Sequence, residues 1–122
     1  MITESNFRDV LARLGFTSDT YEIAYENETL SMRVDFTARK LFYPQAIQGR
    51  ERNDNFSVPE NFVVFECVAR LLEKGYSPED IELERQWLLG HESKGGRADI
   101  CVSDSDGNTL FIIECKTWGT RI

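Results

Sequence analysis

The chain has 122 residues, 41% of them apolar, and a formal net charge of −7. This length suits one domain with a modest core, and no apolar run approaches the ~20 residues of a membrane span. The acidic balance argues against a chain that grips nucleic acid unaided. Phosphate affinity comes from clustered Lys and Arg, and the nearest approach to a cluster is Arg50-Glu51-Arg52, or Lys94 with Arg97.

The polar, acidic opening MITESNFRDVL has no signal-peptide character, so a cytoplasmic location is expected. Cys67, Cys101 and Cys115 are odd in number and lack CxxC spacing, which reads as three buried thiols in a reducing compartment. A zinc site would have only His91 to complete it. No GxxxxGK[ST] phosphate loop is present.

The spacing of Phe7, Val10, Leu11 and Leu14 predicts a first helix over Thr3 to Leu14, with Thr3 able to cap it and Gly15 placed to end it. Tyr21–Tyr25 and Leu30–Phe36 read as a hairpin around Glu26-Asn27-Glu28-Thr29. Lys40–Pro44 either extends a strand or leads into a loop. Gln45–Val58 is polar and aperiodic, a long connection where disorder is expected, or a functional loop or seam.

Pro59 to Lys74 carries the strongest helical pattern, opened by Pro59 and closed by Gly75. Its apolar arc is wide, from Val63 to Leu72, so most of the helix is buried. Glu66, Arg70, Glu73 and Lys74 form the polar stripe, where Glu66 and Arg70 are spaced to pair. Glu60 instead falls within the apolar arc, one turn before Val64. The alternative reading of Glu60 is an acid favoured in a first turn by the helix dipole.

Ser77-Pro78-Glu79-Asp80 is a capping signal for a short helical turn. Ile81–Leu89 is a strand with Ile81, Leu83, Arg85, Trp87 and Leu89 on one face, and Glu82, Glu84, Gln86 and Leu88 on the other. Gln86 is a minor candidate for approach to a site. Gly90–Gly96 is a turn, and His91 within it reads as an inert loop residue.

From Arg97 on, two strands flank Ser105-Asp106-Gly107-Asn108, whose Asp-Gly supplies the positive φ of a hairpin turn. The run LFIIEC from Leu110 to Cys115 predicts a strand buried on both faces. A four-residue loop would pair Asp104 with Thr109 and place Asp99 opposite Glu114, with Lys116 on the face of Glu114. Two carboxylates and an ammonium then converge on one patch of sheet. Burying such a glutamate costs roughly several kcal/mol unless a cation compensates. Two carboxylates and a backbone carbonyl suit a hard cation such as Mg²⁺, and a nearby lysine can orient or deprotonate a water. A calcium loop at Asp104 is rejected, because Thr109 and Cys115 stand where the EF-hand needs Gly and Glu.

At Asp99 and Glu114-Cys115-Lys116 the chain resembles the PD-(D/E)xK nuclease superfamily. The words GGRADICVSDSDGNTLFIIECKT resemble, more narrowly, the amino-terminal nuclease domain of type I restriction enzyme R subunits. The likeness spans roughly Pro59 to Trp118, with Ala98 in place of the superfamily's proline.

The resemblance implies an α/β (α+β) fold, with a restriction-endonuclease-like αβββ core over 59–122. A helix-and-hairpin extension over 1–45 and a polar connection over 46–58 would precede it. The core normally continues with a helix and strand past ExK, so a piece of a longer protein is expected.

It also implies a Mg²⁺-dependent DNA endonuclease, with Mn²⁺ an alternative metal. Asp99, Glu114 and the Cys115 carbonyl would bind the metal, and Lys116 would act on the attacking water. A first-helix glutamate would assist, Glu60 being preferred over Glu66 because Pro59-Glu60 resembles that helix's opening in R subunits. The implied partners are double-stranded DNA, an ATP-driven motor domain elsewhere in the polypeptide, and methyltransferase and specificity subunits. Two other readings stand beside this one. The chain could be a PD-(D/E)xK nuclease of another DNA-processing system, or a non-catalytic interaction domain in which Glu114 and Lys116 form a structural ion pair.

Overall fold

Two helices and two small antiparallel sheets make an α+β fold in the computed structural model, which describes residues 2–16, 22–24, 31–86 and 97–115. Helix α1 (Phe7–Arg13) is shorter than its apolar spacing suggests, because Glu4–Asn6 form a turn. Thr3 does not cap it; its amide donates to Asn6 Oδ1 at 2.8 Å. Gly15, at φ 99°, ends the helix as expected. The amides of Gly15 and Phe16 return to the carbonyls of Ala12 and Leu11, a glycine-terminated Schellman closure.

Helix α2 (Glu60–Glu73) follows Pro59 directly and ends the same way. Gly75 sits at φ 101°, and the amides of Gly75 and Tyr76 donate to Leu72 and Leu71. Its wide apolar arc is buried through Phe62, Val64, Phe65, Val68, Leu71 and Leu72. Burying one such side chain is worth about 1.5–3 kcal/mol, so this face anchors the helix.

The first sheet has the order β1 (Glu22–Ala24), β2 (Ser31–Asp35), β3 (Lys40–Phe42). β1 and β2 pair antiparallel with Ile23 across from Met32, the hairpin read from sequence; its turn lies outside the described residues. Lys40–Phe42 is a strand, paired with β2.

The 45–58 segment is built into the structure rather than left as a disordered connection. Ile47 and Phe56 are buried in the same core as α1, α2 and both sheets. Phe56 meets Phe7 and Phe62 edge-on, and Phe65 meets Phe7, Phe16 and Tyr43. Two apolar anchors suffice to dock a polar segment, and averaged composition does not register them.

The second sheet has the order β4 (Ile81–Gln86), β5 (Arg97–Ser103), β6 (Thr109–Ile113), all antiparallel. A 3₁₀ turn, Pro78–Asp80, leads into β4, without a side-chain cap from Ser77. The sequence α2-β4-β5-β6 is the expected helix-strand-strand-strand order.

Two expectations for this sheet are corrected. β6 is not buried on both faces: Leu110 and Ile112 are 55% and 51% exposed, because β6 is the sheet's edge and no described element covers its outer side. The hairpin loop is also longer than four residues, since Ser103, not Asp104, pairs with Thr109. A register shift at Val102/Ser103 then restores the expected count, so Ile100 meets Ile113. Among the described residues no helix is long and apolar enough to cross a membrane.

Candidate functional site

Three carboxylates meet at the junction of α2 with the second sheet. Glu60, Glu84 and Asp99 each bring one oxygen within 4.8 Å of the others. They come from the first turn of α2, the middle of β4 and the first half of β5. Glu84 is buried, and Glu60 and Asp99 are half-buried.

Glu60 reaches the cluster because it lies on the helix face that packs inward, one turn before the fully buried Val64. Glu66, on the other face, pairs with Arg70, Oε2 lying 2.7 Å from Nη2.

Asp99 Oδ2 accepts a 2.6 Å hydrogen bond from the Cys115 amide. Continuing the Ile100–Ile113 register puts Asp99 across from Glu114, as counted from the sequence. Glu114 follows the last paired residue of β6, is exposed, and is not one of the three clustered carboxylates. Lys116, Gln86's side chain and His91 lie outside the described residues.

Glu84 is the residue that sequence reasoning missed. Strict alternation sets it on the face away from Ile81 and Leu83, yet it is buried. Its φ of 57° breaks the alternation. Beyond the break, Arg85 no longer follows Ile81 and Leu83 into the core. It lies 3.9 Å from Glu82 and reaches Cys101 on the outer side. Glu84 and Asp99 stand across from each other between the pairs Leu83–Ile100 and Arg85–Ala98. The only sequence signal was a second acidic residue in a short strand, two positions after Glu82, which reads as a solvated face.

Two thiols, Cys67 and Cys115, lie beside the cluster and are hydrogen-bonded to each other. Cys115 is held well above the usual thiol range. The largest cause is its hydrogen bond to Cys67, followed by burial and by the charges of Cys67, Asp99 and Glu60. The Cys67 thiol is lowered, chiefly by that same bond.

Three carboxylates so close repel one another and are stable together when a cation or shared protons offset the charge. The donor set is all hard oxygen, which fits Mg²⁺ or Mn²⁺ and does not fit a soft metal.

Against known families, the model for the type I restriction enzyme R protein N terminus matches residues 59–122. The chain belongs to that family. The match holds α2 and the whole second sheet, and therefore all three clustered carboxylates, while the R-protein N-terminal family model does not extend over residues 1–58. Those first residues nevertheless share the core with the family region through Phe7, Leu41, Tyr43 and Ile47. No curated protein and no solved structure matches the chain.

Proposed function

We propose that this R-protein N-terminal chain is a divalent-metal-dependent DNA nuclease domain that hydrolyses phosphodiesters within a type I restriction system. The observation that carries the reading is the meeting of Glu60, Glu84 and Asp99 from three separate elements. Carboxylates scattered over a surface for solubility have no reason to converge at a helix–sheet junction, two of them half-buried and one buried.

In this reading Asp99, Glu84 and Glu60 hold Mg²⁺, with Mn²⁺ able to replace it. Glu114 and the Cys115 carbonyl, next along the chain from Asp99's partner strand, complete the set. A bound Mg²⁺ supplies positive charge for the phosphate and lowers the pKa of a coordinated water. Asp99 is oriented by the Cys115 amide, so it also ties Cys115 to β5. Lys116 orients the attacking water and favours its deprotonated form. DNA, the motor domain and the other subunits of the restriction system are the partners. A chain of net charge −7 needs them to hold the DNA.

The test is calorimetric titration of Mg²⁺ and Mn²⁺ into the full chain and into Asp99→Ala, followed by DNA cleavage with the R protein. Binding that is lost in Asp99→Ala, together with metal-dependent cleavage that Lys116→Ala abolishes, is the expected result. A chain that binds neither ion, or cleavage unaffected by both substitutions, would overturn the reading.

A further inference from the structure

We propose that the segment Gln48–Arg52 is a strap that positions the Glu84 carboxylate, with Arg52 as the positioning residue. The inference deepens the metal-site reading above and rests on it.

Four contacts run in sequence along the edge of β4. The Gln48 amide donates to the Ile81 carbonyl, and the Leu83 amide donates back to the Gln48 carbonyl at 2.8 Å. The two segments form a parallel bridge, Gln48 with Glu82. Gly49 then lies so close that a Cβ there would stand 2.1 Å from the Leu83 carbonyl oxygen. Finally Arg52 Nη1 donates to the Glu84 carbonyl at 3.1 Å. The strap therefore holds β4 on its outer edge up to the residue where the strand breaks alternation.

Glutamate carries a Cβ and disfavours the left-handed region, so φ 57° at Glu84 persists only where the surroundings over-determine it. On one side β5 pairs Leu83 and Arg85 but leaves Glu84 to turn. On the other, Arg52 takes the Glu84 carbonyl, which a regular strand would point along the ladder. That bond fixes the peptide plane, and the peptide plane sets the direction of the Glu84 side chain toward Glu60 and Asp99. The Arg52 guanidinium meets the main chain of Glu84, so it acts on the carboxylate through the backbone.

The experiment is Mn²⁺ titration of the full chain followed by electron paramagnetic resonance, which reads free Mn²⁺ directly, together with thermal unfolding of each metal-free variant. Arg52→Ala is expected to weaken Mn²⁺ binding by roughly tenfold or more, as loss of an outer partner of a metal ligand does. Arg52→Lys restores a donor to the Glu84 carbonyl and is expected to recover most of the loss. Arg13→Ala, an exposed arginine on α1, controls for the change in net charge. Wild-type affinity in Arg52→Ala, or a loss no greater than in Arg13→Ala, would overturn the proposal. A wild-type chain that binds no Mn²⁺ would instead remove the metal-site reading itself, and this inference with it.

Discussion

The Asp99 carboxylate and the Cys115 amide are joined by a 2.6 Å hydrogen bond across the β5–β6 hairpin. This bond links the clustered carboxylates to Cys115, next to Glu114, and its two contributions can be separated by mutation. Asp99→Asn keeps an oxygen for the Cys115 amide and removes one of three mutually repelling charges. Its unfolding free energy is expected to match or exceed wild type while Mg²⁺ affinity falls. Asp99→Ala strands the amide as well, and a further loss of about 1–3 kcal/mol is expected. Urea unfolding paired with calorimetry reads both quantities; equal metal binding by Asp99→Asn and wild type would count against a ligand role.

Glu60 and Glu66 offer a matched comparison on one helix. Glu66→Ala removes an exposed i, i+4 pair with Arg70, expected to cost no more than about 0.5 kcal/mol and leave metal binding unchanged. Glu60→Ala should weaken Mn²⁺ binding while helix content, followed by circular dichroism, stays the same. The opposite assignment of effects would move the accessory acid to the outer face of α2.

Two glycines at positive φ are expected to respond differently to alanine. Gly107, at φ 88° in the β5–β6 turn, has no heavy atom within 4 Å of where an alanine methyl would stand. Gly107→Ala should therefore cost only the conformational penalty of roughly 1–2 kcal/mol. Gly49→Ala adds a collision with the Leu83 carbonyl, a backbone atom that cannot swing aside. A substantially larger loss of stability is expected, measured by the urea midpoint of each variant. Similar midpoints would mean that the strap lifts off β4 at little cost.

Tyr43 makes stability sensitive to alkali. Burial, with smaller electrostatic contributions from Cys115 and Asp54, raises the phenol well above its ordinary value of 10.0. Its hydroxyl donates to the Asn53 carbonyl at 3.1 Å, a bond the phenolate cannot make. Above about pH 10 the unfolded tyrosine releases its proton and the folded one keeps it, so the unfolded state binds fewer protons and stability falls as pH rises. Below that pH the contribution is fully present. Tyr43→Phe should be less stable near neutrality by about 1 kcal/mol but decline less steeply in alkali. Urea midpoints for both chains across this pH range decide it; parallel slopes would exclude Tyr43 as the source.

Local pattern carried much of this fold. The apolar arc and the Gly75 stop define α2, and its wheel separates Glu60 from Glu66, because side-chain direction on a helix follows from spacing alone. The β5–β6 pairing was legible for a similar reason: Asp-Gly demands a turn, and strand count then sets Asp99 opposite Glu114. The one-residue misjudgement of the loop was cancelled by the register shift at Val102/Ser103. The words around Asp99 and Glu114 also led to the R-protein family, which the match over 59–122 bears out at that level.

Tertiary structure decided what no local rule contains. Alternation assigns Glu84 to the solvated side of β4, and only a non-glycine residue at positive φ, held between β5 and the Gln48–Arg52 strap, turns it inward. The strap lies in the stretch whose polar composition suggests disorder, and it is docked by Ile47 and Phe56 against residues from both ends of the described chain. β6 reads as doubly buried because its residues are apolar, yet its exposure is set by which elements cover the sheet. Propensity and periodicity act over a few residues and so are written in the sequence. The direction of Glu84 depends on contacts with residues more than thirty positions away, and those exist only once the chain has folded.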